Sequence, residues 1–169
     1  LLAKIDTGMA GNAVYQDLRN EGVDTSQIVR DEHSRSTSAF VAIDSAGNHK
    51  FFLAKGENEG IALNEIECEG LKNTRAVCVG SMYTSYHLDR CGMRELMQAA
   101  REAGAVTFAD MDHDVEKLGP HAMDHVLPYV DYLLPSMDEA VYITGEQDER
   151  KAAAEILRRG VKTVVIKLG

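Results

Sequence analysis

The stretch Val130 to Gly145, VDYLLPSMDEAVYITG, restricts the fold more than any other. A short apolar run, Val130 with Tyr132, Leu133 and Leu134, stops at Pro135. Proline has no backbone N–H, so it cannot continue a central strand. Ser136 then stands where a helix N-cap belongs. Asp138 and Glu139 fall in the first turn, where carboxylates meet exposed amides and the positive end of the helix dipole. Ala140, Val141 and Ile143 carry the helix on, and Gly145 ends it. Strand, tight turn and helix make the repeating unit of an open α/β sheet, in which ligands bind at the carboxyl ends of strands. A carboxylate at that edge is either a helix cap or an indirect magnesium ligand.

The same rhythm runs through the second half of the chain. Ala76 to Gly80 is an apolar strand. Leu88 to Ala103 is a helix with Leu88, Met93, Leu96, Met97 and Ala100 on its inner stripe, stopped by Gly104. Ala105 to Ala109 is a strand ending at Asp110. Val115 to Val126 reads as a weak helix interrupted by Gly119-Pro120. Residues 130–134 are a strand, 136–143 and 148–159 are helices, and Val161 to Ile166 is the last strand. Alternation of this kind predicts a parallel sheet with helices on its faces, joined by right-handed crossovers. The first half has a different texture. Residues 8–21 show helical spacing, closed by Gly22. Ser38 to Asp44 and Lys50 to Ala54 flank the turn residues Ser45-Ala46-Gly47-Asn48 and read as a β-hairpin. Gly56 to Gly60 is polar and reads as a mobile connection.

Composition narrows the partners. With 44% hydrophobic residues over 169 positions the chain can bury a core and form one domain. Its net charge of −9 argues against nucleic acid or an anionic membrane surface as the main partner. No apolar run approaches the roughly 20 residues needed to span a bilayer, and no basic-then-apolar leader opens the sequence. Three widely spaced cysteines, Cys68, Cys78 and Cys91, fit reduced cytoplasmic thiols better than a disulfide framework or a zinc site. The sequence starts at Leu1 and stops at Gly169, directly after the run Val164-Val165-Ile166. Ends of that kind are expected of a chain incomplete on both sides.

Three constellations could carry chemistry. Asp110-Met111-Asp112-His113-Asp114 follows a strand. Its alternate carboxylates fail the calcium-loop pattern, because Val115 stands where glycine is needed and His121 where a bidentate glutamate belongs. A transition-metal reading would use His113, His121 and His125. Otherwise the acids either accept hydrogen bonds from a hydroxyl-rich ligand or cap the next helix. Gly80 to Ser85, also after a strand, can bind a polar ligand or simply turn the chain. Thr7-Gly8-Met9-Ala10-Gly11-Asn12 puts two glycines at a helix start, where a phosphate could approach, but no Gly-Lys-Ser/Thr follows.

Five segments in order carry a resemblance. They are Gly8-Met9-Ala10-Gly11 through Gly22-Val23-Asp24-Thr25, the hairpin Thr37 to Phe52 with Gly47 in its turn, Ala109-Asp110-Met111-Asp112, Val130 to Ala140 followed by Thr144-Gly145, and Gly160 to Gly169. Together they resemble the ribokinase-like, phosphofructokinase-B family of sugar kinases over almost the whole chain. The resemblance implies a ribokinase-like three-layer, Rossmann-type α/β fold with a mostly parallel sheet. The core would comprise residues 1–36 and 57–169, and residues 37–56 would form a projecting hairpin lid. It implies ATP- and Mg2+-dependent transfer of the γ-phosphoryl group to a hydroxyl of a small sugar, with a nucleoside of the adenosine type as the alternative acceptor. A non-catalytic sugar- or partner-binding member is a further alternative. Ser81, Asp110 and Asp112 would then bind substrate. Ser136, Lys167 and Gly169 would lie by the ATP phosphates, with Lys167 either contacting phosphate or merely covering the strand end. Glu139 would order magnesium-bound water. The family's base is an aspartate in a G-A-G-D segment, expected beyond Gly169, so the 169 residues alone are not expected to catalyse transfer. Three departures stand out. Ser136 replaces the asparagine of N-x-x-E, Asp112 replaces that of D-x-N, and Asp6-Thr7-Gly8 stands where G-x-D is usual. The apolar hairpin suggests a homodimer through the lid.

Overall fold

Short apolar runs become strands here because each is bounded by residues that leave a sheet and is followed by a segment with one apolar stripe. The computed structural model describes residues 1–169 except 48, 55 and 57–59, and it describes the side chains of the remainder except 49 and 68. The chain divides into two units, Leu1–Ile61 and Ala62–Gly169.

In the first unit β1 (Ala3–Asp6) and β2 (Ile28–Asp31) pair in parallel, joined through α1 (Met9–Asn20). Neither strand was expected, since each is only four residues long and its partner is remote in sequence. Asp6 closes the helix start: its Oδ1 accepts from the amides of Gly8 at 2.6 Å and Gly11 at 3.3 Å. A Cβ on Gly11 would sit 2.1 Å from the Asp6 carbonyl oxygen. The two glycines therefore serve close approach of helix to strand. Their amides are taken by Asp6, which replaces the phosphate reading of residues 7–12. β3 (Ser38–Ile43) and β4 (His49–Ala54) form the antiparallel hairpin, with Phe40 opposite Phe52 and Val41 opposite Phe51. Every residue of β3 is exposed. Most of the expected connection at 56–60, and Asn48 of the expected turn, lie outside the described residues.

In the second unit β5 (Ala76–Met82), β6 (Val106–Met111), β7 (Tyr132–Leu134) and β8 (Thr163–Val164) form a four-stranded sheet in that order, every pair parallel. Between them run α2 (Tyr86–Arg90), α3 (Met93–Glu102), α4 (Met137–Thr144) and α5 (Glu149–Arg158). On β6 the alternation is clean. Thr107, Ala109 and Met111 are buried, while Val106, Phe108 and Asp110 lie on the opposite, more open face. Phe108 stacks there on Tyr132 at 4.8 Å. α3 buries Met93, Leu96, Met97 and Ala100, the stripe its spacing predicts.

Three expectations need correction. The single helix over 88–103 is two helices, because Gly92 takes φ +119° and a Cβ there would meet Leu63 Cβ at 2.8 Å. Residues 115–126 are turns rather than helix. Lys117 and Gly119 both adopt positive φ, and the Asp114 carboxylate accepts from the amides of Leu118 and Gly119 at 2.9 and 2.8 Å. The last strand is only Thr163–Val164, with one further parallel bridge between Ser136 and Lys167.

Candidate functional site

Parallel pairing puts the carboxyl ends of β5 to β8 on one rim. Ser81 lies near the end of β5, Asp110 near the end of β6 and Ser136 two residues past β7. Glu139 is in the first turn of α4, and Lys167 follows β8. The opposite rim is held by polar contacts of another kind. There the Thr107 amide donates to Asp131 Oδ2 at 2.9 Å, the Asp131 amide donates to Thr107 Oγ1 at 2.9 Å, and Lys162 Nζ lies 2.5 Å from Asp131 Oδ1.

Ser136 makes the expected cap and more. Its Oγ accepts from the Glu139 amide at 3.3 Å, and Glu139 Oε2 accepts from the Ser136 amide at 2.6 Å. This reciprocal pair satisfies two of the free donors at the helix start. Lys167 is stitched to the same turn by its backbone. Its amide donates to the Pro135 carbonyl at 2.8 Å, and its carbonyl accepts from the Met137 amide at 3.2 Å. Its ammonium reaches across to Asp110 Oδ1 at 2.6 Å. The cation that could meet a phosphate thus already neutralises the carboxylate that could meet a sugar hydroxyl.

Asp112 continues from β6, and its amide donates to the Met82 carbonyl at 3.1 Å, which joins the ends of β5 and β6. Its Oδ1 accepts from the His113 amide at 2.7 Å. Donor atoms of Asp112, His113 and Glu139 all lie within 4.8 Å of one another. Asp112 and Glu139 offer the oxygen ligands that a hard cation such as Mg2+ takes. Ser81 is half-buried, and its carbonyl accepts from the hydroxyls of Thr84 at 3.3 Å and Ser85 at 3.1 Å. Among the described residues no hydrogen bond joins its side chain to the other candidates. Gly169 is the exposed last residue, at φ +96°, and among the described residues no hydrogen bond ties it to the rim.

The structure therefore brings together Asp110 with Lys167, Ser136 with Glu139 and with Lys167, and Asp112 with Glu139. The histidine trio is corrected. His121 Nδ1 sits 3.0 Å from Asp124 Oδ2, in a cluster with Arg159, and only His113 joins the acidic rim. Its spacing from Glu139 in sequence gave no sign of this, because the contact depends on β6 and β7 being neighbours.

The description "pfkB family carbohydrate kinase" matches residues 1–169. The chain is 26% identical over 168 residues to an uncharacterized sugar kinase of Archaeoglobus fulgidus, covering 99% of this chain and 65% of that one. In fold it is similar to a PfkB protein from Polaromonas sp. JS666, with TM-score 0.79 and 21% identity over 99% of this chain and 60% of the other. It is equally similar to a putative ribokinase II from E. coli solved in complex with ATP and Mg2+, with TM-score 0.79 and 22% identity over 98% and 55%. These likenesses establish the α/β architecture with a mostly parallel sheet. The chain spans between 49% and 65% of the length of four curated relatives it matches.

Proposed function

The chain belongs to the pfkB family of carbohydrate kinases, and from that premise we propose that it supplies part of the site for ATP- and Mg2+-dependent phosphorylation of a small sugar. The observation that carries the reading is the shared rim. Parallel strands end in an acid paired with a lysine, beside a capped helix start holding a second acid. Phosphoryl transfer asks a protein chiefly for positioning and charge stabilisation, and such a rim offers both.

In this reading Asp110, Asp112 and Ser81 hydrogen-bond the sugar. Ser136, Lys167 and Gly169 lie by the phosphates, and Glu139 holds Mg2+ through water. The ion, when bound, neutralises charge on the phosphoryl oxygens. Arrival of a nucleotide would draw the Lys167 ammonium toward phosphate and free Asp110 for a hydroxyl, so each substrate would take one half of the ion pair. No Gly-Ala-Gly-Asp segment occurs among residues 1–169, so the general base is assigned to none of them.

The hairpin over 37–56 is read as an insertion in a core of 1–36 and 57–169. Val41, Ile43, Phe51 and Leu53 share one of its faces by strand register, and all are exposed. That face supports a homodimer through the hairpin. Cytoplasmic residence agrees with the free thiols of Cys78 and Cys91. No described helix is long and apolar enough to cross a membrane.

The test is a phosphorylation assay of the complete gene product with ATP and Mg2+, over hexoses, pentoses, sugar acids and adenosine. A sugar phosphate is the expected product. Preference for adenosine would move the acceptor to nucleosides, and absence of any product with intact nucleotide binding would favour a non-catalytic binder.

A further inference from the structure

The ends of β5 and β6 and the first half of α4 are fastened together at one place. Asp114 follows Asp110 and Asp112 on the segment that leaves β6. Its Oδ2 accepts from the Tyr142 hydroxyl at 2.7 Å and from the Gly119 amide at 2.8 Å, and its Oδ1 accepts from the Leu118 amide at 2.9 Å. Tyr142 stands on α4 about one turn after Glu139, on the same side of the helix. The bond therefore ties the segment carrying the acids read as sugar ligands to the helix carrying the acid read as ordering magnesium-bound water. From β5 comes Tyr83, whose ring meets that of Tyr142 edge-on at 6.0 Å. Tyr83 is 1% exposed, its hydroxyl donates to the Pro120 carbonyl at 3.3 Å, and its backbone sits at φ +73°. A bulky residue keeps that left-handed conformation only where its surroundings hold it there, and such strain gathers at working sites. The bond to Asp114 pushes the Tyr142 hydroxyl up to about 12. Burial would raise the Asp114 pKa, but the bonds from Tyr142, Gly119 and Leu118 outweigh it and hold the group below the usual carboxylate range. Near neutrality the hydroxyl keeps its proton and the carboxylate its charge, so the tie is a charge-assisted hydrogen bond.

We propose that Tyr142, through its bond to Asp114 and its ring contact with Tyr83, is a positioning residue that fixes the spacing between the sugar half and the phosphate half of the rim. The inference rests on the kinase reading for what the spacing serves, whereas the strut itself needs only the contacts described. In-line phosphoryl transfer depends on how the acceptor hydroxyl and the phosphoryl group are aligned, and a misplacement of about 1 Å can cost about a hundredfold in rate. Without the strut each half keeps its own side chains. The loss therefore falls on the alignment of the two bound substrates, hence on turnover, and not on the binding of either one.

The experiment compares the complete gene product with its Tyr142→Phe variant, which keeps the ring against Tyr83 and removes only the hydroxyl. With the sugar that the unaltered protein phosphorylates, kcat should fall about tenfold, while KM for the sugar and for Mg–ATP should each stay within about twofold. Asp114→Asn should act in the same way, and the double variant should be no slower than the slower single one, because both act through one bond. In the ligand-free protein, Tyr142→Phe should shift the amide resonances of 110–112, which lie beyond the residue that Tyr142 bonds. Unchanged kcat in folded Tyr142→Phe protein, a rise in KM that accounts for the whole loss, or multiplied losses in the double variant would overturn the proposal. So would amide shifts confined to α4 and residues 114–119. Absence of sugar phosphate from the unaltered protein would instead refute the kinase reading, and the amide shifts alone would then decide for or against the strut.

Discussion

Two buried aspartates respond to pH in opposite directions. Asp89 lies in α2, and among the described residues neither carboxylate oxygen has a hydrogen-bond partner. Burial, with a smaller addition from the nearby Asp114 carboxylate, pushes its pKa up to about 6; the backbone amides of Tyr83 and Ser85, close by but outside hydrogen-bond geometry, lower it only in part. The folded value is above the unfolded one. The folded chain therefore keeps this proton while the unfolded chain loses it, and stability falls as pH rises from the ordinary carboxylate range to about 6. Asp89→Asn should stabilise the chain by roughly 1–2 kcal/mol at pH 7, discounted for partial solvent screening, and by little near pH 4. Thermal melts at the two pH values check this, and an equal gain at both would contradict it. Asp131 behaves conversely. Burial would raise its pKa, but the Lys162 ion pair and the bonds from Thr107 outweigh that and hold it below the usual range. Its contribution is present above the unfolded value and is lost as pH falls through the folded one. Asp131→Ala should cost about 1–2 kcal/mol at pH 7, chiefly from the lost bonds with Thr107, because the Lys162 side chain is 59% exposed and its ammonium stays solvated. Residues such as Ser136 were legible in sequence because capping is local. Asp89 was not, and His113 was named with the wrong partners, because their surroundings come from segments far away along the chain.

The elements that sequence reading recovered are those with a local signal. The β7–α4 unit is bounded by Pro135, Ser136 and Gly145, and all three act as their chemistry predicts, with Gly145 at φ +76° as the C-cap. β1, β2 and the division of α2 from α3 escaped because they depend on remote partners: β1 on β2, and Gly92 on Leu63. The capping box makes a graded prediction. Ser136→Ala should destabilise the chain by about 1 kcal/mol, while Ser136→Asn should stay within about 0.5 kcal/mol of the starting chain. The asparagine variant, which restores the family residue, should also bind Mg–ATP more tightly, as calorimetry would register. Weaker binding would mean that the serine is no handicap. Gly11→Ala should be more severe than either, because its Cβ would meet backbone at 2.1 Å and a main-chain atom cannot swing aside. Loss of cooperative unfolding in the first unit is the expected result, and a melt like that of the unaltered chain would contradict the packing described.

At the scale of the molecule, the apolar hairpin and the acidic rim have separate consequences. Ile43 and Phe51 share one hairpin face, are 69% and 58% exposed, and lie on facing strands. Replacing both by lysine should convert a dimer to a monomer in sedimentation, with the core still folded. A monomer before substitution would remove the hairpin from the account of assembly. The α/β class and the order of the second unit were legible because alternating strands and helices impose parallel pairing. The composition of the rim was only half legible: Asp110, Ser136, Glu139 and Lys167 could be named, but not the pairing of Asp110 with Lys167, which joins residues 57 apart. The central claim, that this rim receives the nucleotide, is tested most directly by titrating the chain with Mg–ATP and following its backbone amide resonances. The account predicts shifts concentrated at 110–113, 136–139 and 165–169, with 105–107, 131 and 161–163 on the opposite rim unmoved. Shifts confined to that opposite rim, or to the hairpin, would contradict it.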